Sequence, residues 1–219
     1  MKVLGLIPAR GGSKGIPRKN LAVVGGKPLL AWTLDAAHAA SELSEVVVST
    51  DDDEIAATAG TRVLRRPPEL AADDTPMRAV VRHAVDELAP DVVVLLQPTS
   101  PLRRAEHVDE AVRLLLESGA DSVVSVVEVP HAYRPESLMD VVDGRTVPRS
   151  PVATRQEKER VYARNGPAVL ALRVDGLGED LYGGDCLAYV MDLRDSLDVD
   201  TPFDLELADL ILRSRRSHS

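Results

Sequence analysis

The sequence predicts an α/β fold, a mostly parallel sheet with helices on both faces, and three observations carry that expectation. Short apolar runs suited to buried strands alternate four times with stretches of helical periodicity before residue 130. The run DVVVLL at 91–96 sets five apolar residues behind one acid, which implies a strand buried on both faces. The first apolar run, 3–9, leads directly into a loop of glycines and cations, with 6–20 reading LIPARGGSKGIPRKN. Right-handed crossovers turn such an alternation into a parallel sheet, whose ligands bind beyond the carboxyl ends of the strands.

Taken in order, 3–9 is a buried strand, and in the loop Gly11, Gly12 and Gly15 permit positive φ and close approach to a ligand. Pro28 opens a helix over 29–40, along which Leu30, Ala31, Leu34, Ala37 and His38 recur at helical spacing. A strand at 45–50 ends in Asp51-Asp52-Asp53, acids suited to cap a helix through 59. A short strand at 62–64 precedes the irregular RRPPELAADD, and Thr75-Pro76 reads as N-cap and N1 of a helix to 88. The central strand 91–96 exits through Gln97-Pro98-Thr99-Ser100-Pro101 into a helix at 105–117, stopped by Gly119, and 122–129 is strand again. From 130 to 165 the alternation fails: His131, Tyr133, Pro135, Pro148 and Pro151 interrupt it and charges crowd 155–160. About 35 residues without core patterning is long for a loop, so this segment is expected to protrude, as a dimerising hairpin and short helix or as a flap. Strands at 167–174 and 187–191 and a helix opened by Thr201-Pro202-Phe203-Asp204 complete one domain, 1–219.

Charge is segregated along this chain. Its first 34 residues hold six Lys or Arg and no Asp or Glu, a +6 segment in a protein of net −9, so the remainder sums to −15. A local cationic patch on an acidic protein suits a small polyanion such as a nucleoside triphosphate and suits nucleic acid poorly. Six aromatics among 219 residues leave no stacking platform for single-stranded nucleic acid, and the core must be mostly aliphatic. No run reaches the roughly 20 apolar residues of a membrane span, which points to a cytoplasmic protein without membrane attachment. Cys186 is the single cysteine, so it reads as packing.

Two constellations carry chemistry. The loop at 6–20 fits neither G-x-G-x-x-G nor G-x-x-x-x-G-K-[ST], yet Arg10, Lys14, Arg18 and Lys19 beside its glycines suit phosphate, against the plainer reading of a solvated basic turn. In Ser196-Leu197-Asp198-Val199-Asp200-Thr201, residues two apart face the same way, so Asp198 and Asp200 present paired carboxylates while Leu197 and Val199 face the core. Two such oxygens plus phosphates and water complete octahedral Mg²⁺; otherwise the acids only lead into the last helix. Gln97, Thr99, Ser100 and Asn165-Gly166 supply neutral polar groups that turns alone would also explain, and Arg155 and Gln156 suit a substrate carboxylate or a solvated surface. The five histidines are too scattered for a zinc signature.

LIPARGGSKGIPRKN, RPPELAADDTP, LLQPTSPLR, the 155–166 segment and SLDVDTPFDLELA stand in the order seen in the acylneuraminate cytidylyltransferase family, which the chain resembles over nearly its whole length. The resemblance implies a Rossmann-like nucleotidyltransferase domain of the nucleotide-diphospho-sugar transferase type, a Mg²⁺-dependent reaction with CTP, and a homodimer whose protruding 130–165 segment reaches the neighbouring site. It implies catalytic roles for Arg10, Lys14 and Lys19, nucleotide binding by Arg10, Gly11, Gly12, Ser13, Lys19, Asn20 and Arg66, and metal binding by Asp198 and Asp200. It assigns the acidic acceptor to Gln97, Thr99, Ser100, Arg155, Gln156 and Asn165. Departures fall mainly on the acceptor side: the family's tyrosine is Val169, its Phe-Phe pair is Leu181-Tyr182, and a serine of the nucleotide pocket is Met77. They leave open N-acetylneuraminate, another nonulosonate, or a non-sugar acid such as a phosphonate, and beside these a catalytically inactive nucleotide-binding protein.

Overall fold

The computed structural model describes residues 1–13, 15–150, 159–178, 180–182 and 184–216. Its strands are β1 (Val3–Pro8), β2 (Val23–Val24), β3 (Lys27–Pro28), β4 (Glu45–Thr50), β5 (Arg62–Arg65), β6 (Val92–Leu95), β7 (Ser122–Glu128), β8 (Met139–Val142), β9 (Arg145–Pro148), β10 (Tyr162–Arg164), β11 (Leu170–Arg173) and β12 (Cys186–Met191). The helices are α1 (Leu29–Ala39), α2 (Asp53–Thr58), α3 (Met77–Leu88), α4 (Ala105–Ser118) and α5 (Pro202–Arg216). The main sheet runs β12-β7-β11-β6-β1-β4-β5, with β10 prolonging the lane of β11 along β7. All lanes are parallel except that of β10 and β11.

Both sheet faces are covered because strand residues alternate between two apolar layers. Val3, Ile7, Val92, Val94 and Val169 pack beneath α1 and α4, against Leu30, Leu34, Val108 and Val112. Leu4, Leu6, Val93, Leu95, Val124 and Val126 pack beneath α3, against Val81, Ala84 and Leu88. Burial of each such aliphatic side chain is worth about 1.5–3 kcal/mol, and with so few aromatics these layers are the main source of stability. A third cluster, Ile16, Val24, Leu29, Leu102, Val199, Ala208 and Leu212, anchors α5 and the phosphate-loop region together.

Helix starts follow the acids. The Asp52 carboxylate accepts from the Glu54 and Ile55 amides at 2.9 Å, capping α2. At α5 the Asp204 amide donates to the Thr201 hydroxyl (3.3 Å) while the Thr201 amide donates to the Asp204 carboxylate (2.8 Å), the reciprocal box expected from TPFD.

Several expectations are corrected. Helix α3 starts at Met77, with Pro76 at the cap position and the Thr75 hydroxyl turned back to the Glu69 carbonyl. His38 is exposed, and the buried stripe of α1 runs instead through Leu29, Leu30, Thr33, Leu34, Ala36 and Ala37. The stretch 167–174 is not one strand: β11 is Leu170–Arg173, antiparallel to both neighbours. Nor does the excursion extend to 165, because β10 has already rejoined β7 at Tyr162–Arg164. Within the excursion, β8 and β9 form a separate hairpin turning at Asp143-Gly144, both at positive φ (50° and 74°), as a tight primed turn requires. Met139, Val141, Val142 and Val147 on that hairpin are exposed. The expected short helix is present among the described residues only as single 3-10 turns at His131–Tyr133 and Pro135–Ser137, and 151–158 lie outside them.

Replacing the α2 cap, Asp52→Ala, is expected to cost about 1 kcal/mol in urea unfolding at neutral pH. The Arg18 guanidinium and the Ile55 amide hold this carboxyl below the usual aspartate value. Its contribution is therefore fully present above about pH 4 and disappears as pH falls through the lowered value, so wild type and variant should converge in acid.

Candidate active site at the strand ends

A cavity of about 320 Å³ opens at the carboxyl ends of β1, β4 and β6, where ligand sites of parallel sheets lie. The loop after β1 supplies Arg10, Gly12, Ser13, Gly15, Lys19 and Asn20 to its wall, Arg66 comes from beyond β5, Gln97 and Thr99 from beyond β6, and Asp200 from the approach to α5.

The loop is held in shape by its own polar groups. The Ser13 hydroxyl donates to the Ile16 carbonyl (2.5 Å) and accepts from the Lys19 amide (3.1 Å), and the Asn20 amide group donates to the Arg10 carbonyl (2.9 Å). The Gly11 amide donates to Asp51 (3.0 Å). Gly11, Gly12 and Gly15 do not adopt positive φ; the left-handed residue here is Arg18, at φ 53°. What Gly15 provides is closeness, since a Cβ there would sit 2.5 Å from the Asp200 carbonyl oxygen. Arg18 turns away from the cavity to Asp52 and Glu54 (2.5 Å each), an anchor for the loop and not a phosphate ligand.

Among the described residues Arg10, Lys19 and Arg66 bring cations to the cavity, the first two each against an acid. Arg10 pairs with Asp73, and Lys19 Nζ donates to the Val199 carbonyl and to Asp200, both at 3.0 Å. Arg66 is 7% exposed, its guanidinium donating to the hydroxyl and carbonyl of Ser49 (3.2 and 2.9 Å), and burial holds its pKa below the ordinary value. Lys14, Arg155 and Gln156 lie outside the described residues.

Asp198 and Asp200 behave differently. Asp200 is exposed and bonded to Lys19, whereas Asp198 is half-buried, and burial, with repulsion from Asp200 and Asp204, raises its pKa. The Thr99 hydroxyl is close enough to favour the ionised form, yet Asp198 Oδ1, Thr99 Oγ1 and Ser100 Oγ are all buried without a completed hydrogen bond. Two of them meet at Gly166, at φ 113°, where a Cβ would lie 3.2 Å from both Asp198 Oδ1 and Ser100 Oγ. Buried oxygens left unpaired in this way are costly unless a ligand completes them. Among the described residues no cluster of three or more His, Cys, Asp or Glu forms a metal cage.

Asn165 stands behind the site instead of facing it. Its side chain is 4% exposed and fully engaged, accepting from the Ser125 hydroxyl (2.6 Å) and donating to the Ser196 hydroxyl (2.9 Å). Ser125 replaces the broken ladder between β10 and β11, its amide bound by the Val169 carbonyl and its hydroxyl by the Val169 amide (2.9 Å each). Val169 is wholly buried beneath α1 and α4, its side chain turned into the core. Sequence reading missed Arg103: only 3% exposed, it donates to the Gln97 and Ala168 carbonyls (3.1 and 2.6 Å) and to the Thr33 hydroxyl (2.6 Å). Burial lowers its pKa to about 9, and the signal available was its place in LLQPTSPLR.

Residues 4–174 match the family described as Cytidylyltransferase. The chain belongs to this family. Among curated relatives, the N-acylneuraminate cytidylyltransferase of Escherichia coli O18:K1:H7 is 34% identical over 216 residues, 94% of this chain and 51% of the relative. N-acylneuraminate cytidylyltransferase A of Danio rerio is 36% identical over 215 residues, 93% of this chain and 49% of the relative. The chain thus spans about half the length of the curated relatives it matches. A solved CMP:2-keto-3-deoxy-manno-octonic acid synthetase in complex with CTP superposes with a TM-score of 0.76 at 20% identity, covering 98% of this chain and all of that one. A 4-diphosphocytidyl-2C-methyl-D-erythritol synthase from Anaerococcus prevotii gives 0.65 at 15% identity, over 97% and 96%. At these identities the two structures establish a shared nucleotidyltransferase fold.

Gly15→Ala tests the loop contact of this cytidylyltransferase-family site. Displacing the Asp200 carbonyl should weaken CTP affinity and lower kcat/KM by up to about 10²-fold, as small misplacements of reacting groups do, and the clash with backbone should lower Tm as well. Calorimetric CTP titration beside thermal unfolding checks both.

Proposed function

We propose that the protein is a Mg²⁺-dependent cytidylyltransferase that moves CMP from CTP to an acidic sugar of the sialic-acid class and releases pyrophosphate. One observation carries the reading: the cationic loop after β1 is clasped to the Asp198–Asp200 segment, Lys19 bonding both the Val199 carbonyl and Asp200 at 3.0 Å. A triphosphate between them meets cations on one side and carboxylates on the other, and a divalent cation held by those carboxylates would offset the repulsion. The names of the curated relatives support the same transfer.

Asp198 and Asp200 fit such an ion, being hard oxygen donors of which Asp198 Oδ1 is buried and unpaired. When bound, Mg²⁺ would polarise the reacting phosphate and neutralise charge that builds up there. Arg10 and Lys19 hold the β- and γ-phosphates and stabilise the departing pyrophosphate, releasing Asp73 and Asp200 as they do so. Gln97, whose amide group donates to the Gly166 carbonyl (3.1 Å), and the free hydroxyls of Thr99 and Ser100 orient the acceptor. The acceptor's anomeric oxygen attacks the α-phosphorus, the bond from that phosphorus to the pyrophosphate oxygen breaks, and the hydroxyl proton passes to solvent water. Arg103 and Asn165 act one layer behind, fixing the Gln97 and Gly166–Ala168 backbones.

The same reading includes a homodimer, with the exposed apolar residues of the β8–β9 hairpin buried against a second copy, and places the reaction in the cytoplasm, where CTP is available. Leu181-Tyr182, where the resembled family has two phenylalanines, bears on which acid of the sialic-acid class is the acceptor.

Incubation with CTP, Mg²⁺ and a panel of nonulosonic acids and a phosphonate should release pyrophosphate with at least one acceptor, and chelation of the metal should abolish release. Asp198→Ala and Asp200→Ala should each fold and lose turnover by about 10²-fold or more. Full activity in both variants would refute the metal assignment, and CTP binding without pyrophosphate release from any acid would refute the transfer.

A further inference from the structure

We propose that Arg164, laid across the ring of Tyr182, is the residue that grips the acceptor's carboxylate; the inference rests on the acidic acceptor of the preceding reading. The guanidinium carbon lies 4.4 Å from the Tyr182 ring centroid. Stacking against a ring face immobilises a guanidinium while leaving its N–H edge free, and that edge matches a carboxylate bidentately.

Placement along the sheet brings Arg164 to the site. Leu170 stands opposite Leu95 on one side and Val124 on the other, all in the layer beneath α3. Arg164 stands opposite Val126, two residues nearer the carboxyl end of β7, and so shares that face. Gln97 lies two residues past Leu95, beyond the end of β6 in the adjoining lane. Two residues after Arg164 comes Gly166, whose carbonyl accepts from Gln97 and whose Cα abuts Asp198 and Ser100. Arg164 thus lies outside the lining of the 320 Å³ cavity itself, on the flank of Gln97 away from the loop after β1.

Its partners are also telling. In a chain with 35 acidic residues, the neighbouring arginines Arg134 and Arg160 both reach Glu128, at 2.6 and 3.9 Å. Arg164 is exposed, and among the described residues its side chain has no acid or hydrogen-bond partner, only the tyrosine ring. That ring is a firm base: Leu181 and Tyr182 pack on the α3 layer, the Tyr182 amide donates to Asp180 (3.0 Å), and Arg78 of α3 donates to the Gly178 carbonyl (2.8 Å). The Leu181-Tyr182 departure acquires a purpose here, since the tyrosine carries the arginine. Arg155, to which the family resemblance assigns the carboxylate, lies outside the described residues.

The test is steady-state pyrophosphate release with an acid that wild type accepts and with its carboxamide, in Arg164→Gln, Arg164→Lys, Tyr182→Leu, Arg155→Gln and, as a control, Arg160→Gln, beside calorimetric CTP binding. Loss of a charge-assisted pair should raise the acceptor KM of Arg164→Gln about 10- to 100-fold and shrink the preference for carboxylate over carboxamide by the same factor. CTP affinity should be unchanged, Arg164→Lys should recover part of the loss, Tyr182→Leu should fall between, and the control should match wild type. An unchanged acceptor KM in Arg164→Gln overturns the inference, as does loss of CTP affinity in that variant, or a carboxylate preference that vanishes only in Arg155→Gln. Failure of the acidic-acceptor reading shows separately, as a wild type that turns over no carboxylate.

Discussion

The clasp between the loop after β1 and the segment before α5 is the contact on which the site depends. Lys19 reaches the Val199 carbonyl and Asp200 across 180 and 181 residues, and Gly15 lies against the Asp200 backbone where any side chain would collide. Val199, fully buried, joins Ile16, Val24, Leu102 and Leu212 in the cluster beneath that contact. A charge pair at a partly exposed position is worth little by itself. Here the apolar cluster supplies the stability and the polar contact sets the geometry, bringing a phosphate-suited loop and a pair of carboxylates to the two sides of one cavity.

Charge segregation along the chain is resolved in space. Arg10 faces Asp73, Arg18 faces Asp52 and Glu54, and Lys19 faces Asp200, so the cationic first segment is neutralised by acids drawn from three other regions. These pairs differ in kind. Arg18 turns to α2 and fixes the loop, while Arg10 and Lys19 remain at the cavity wall with exposed acids, pairs that a more highly charged polyanion can displace. Arg66, buried against the Ser49 backbone, completes the cationic lining from below.

Behind Gln97 and Gly166 stands a polar scaffold that takes no part in lining the strand-end cavity. Ser125 bridges the gap where β10 and β11 part, Asn165 is bonded on all sides within it, and Arg103 ties the Gln97 and Ala168 carbonyls to Thr33 of α1. Burying a guanidinium without an acid is expensive, and the return is a fixed backbone at the two places where β6 and the β10–β11 lane meet the site. The break in the ladder is what lets Gly166 approach Asp198 and Ser100.

Much of the architecture was legible in the sequence because it is written in local rules. Alternating apolar runs mark β1, β4, β6 and β7, the acid at Asp52 and the Thr201–Asp204 pair mark helix starts, and Gly119 ends α4. The phosphate-suited loop and the Asp198–Asp200 pair were legible for the same reason, each lying within a few residues. Long-range consequences were not. The antiparallel course of β11, the return of β10 to the sheet, the concealment of Asn165 and Val169 and the exposure of His38 depend on which lane receives each segment, and an apolar run of a few residues does not encode its direction. Arg103 reads as one more charged residue until the fold buries it, and Arg164 as one more arginine in a charged stretch until strand register sets it over Tyr182. The sequence by itself determined the fold class, the loop and the carboxylate pair, since these follow from side-chain periodicity and short spacings. Only the tertiary structure decided which cations face the cavity, which polar groups stand behind it and which arginine lies over Tyr182, because those follow from contacts between segments far apart in the chain.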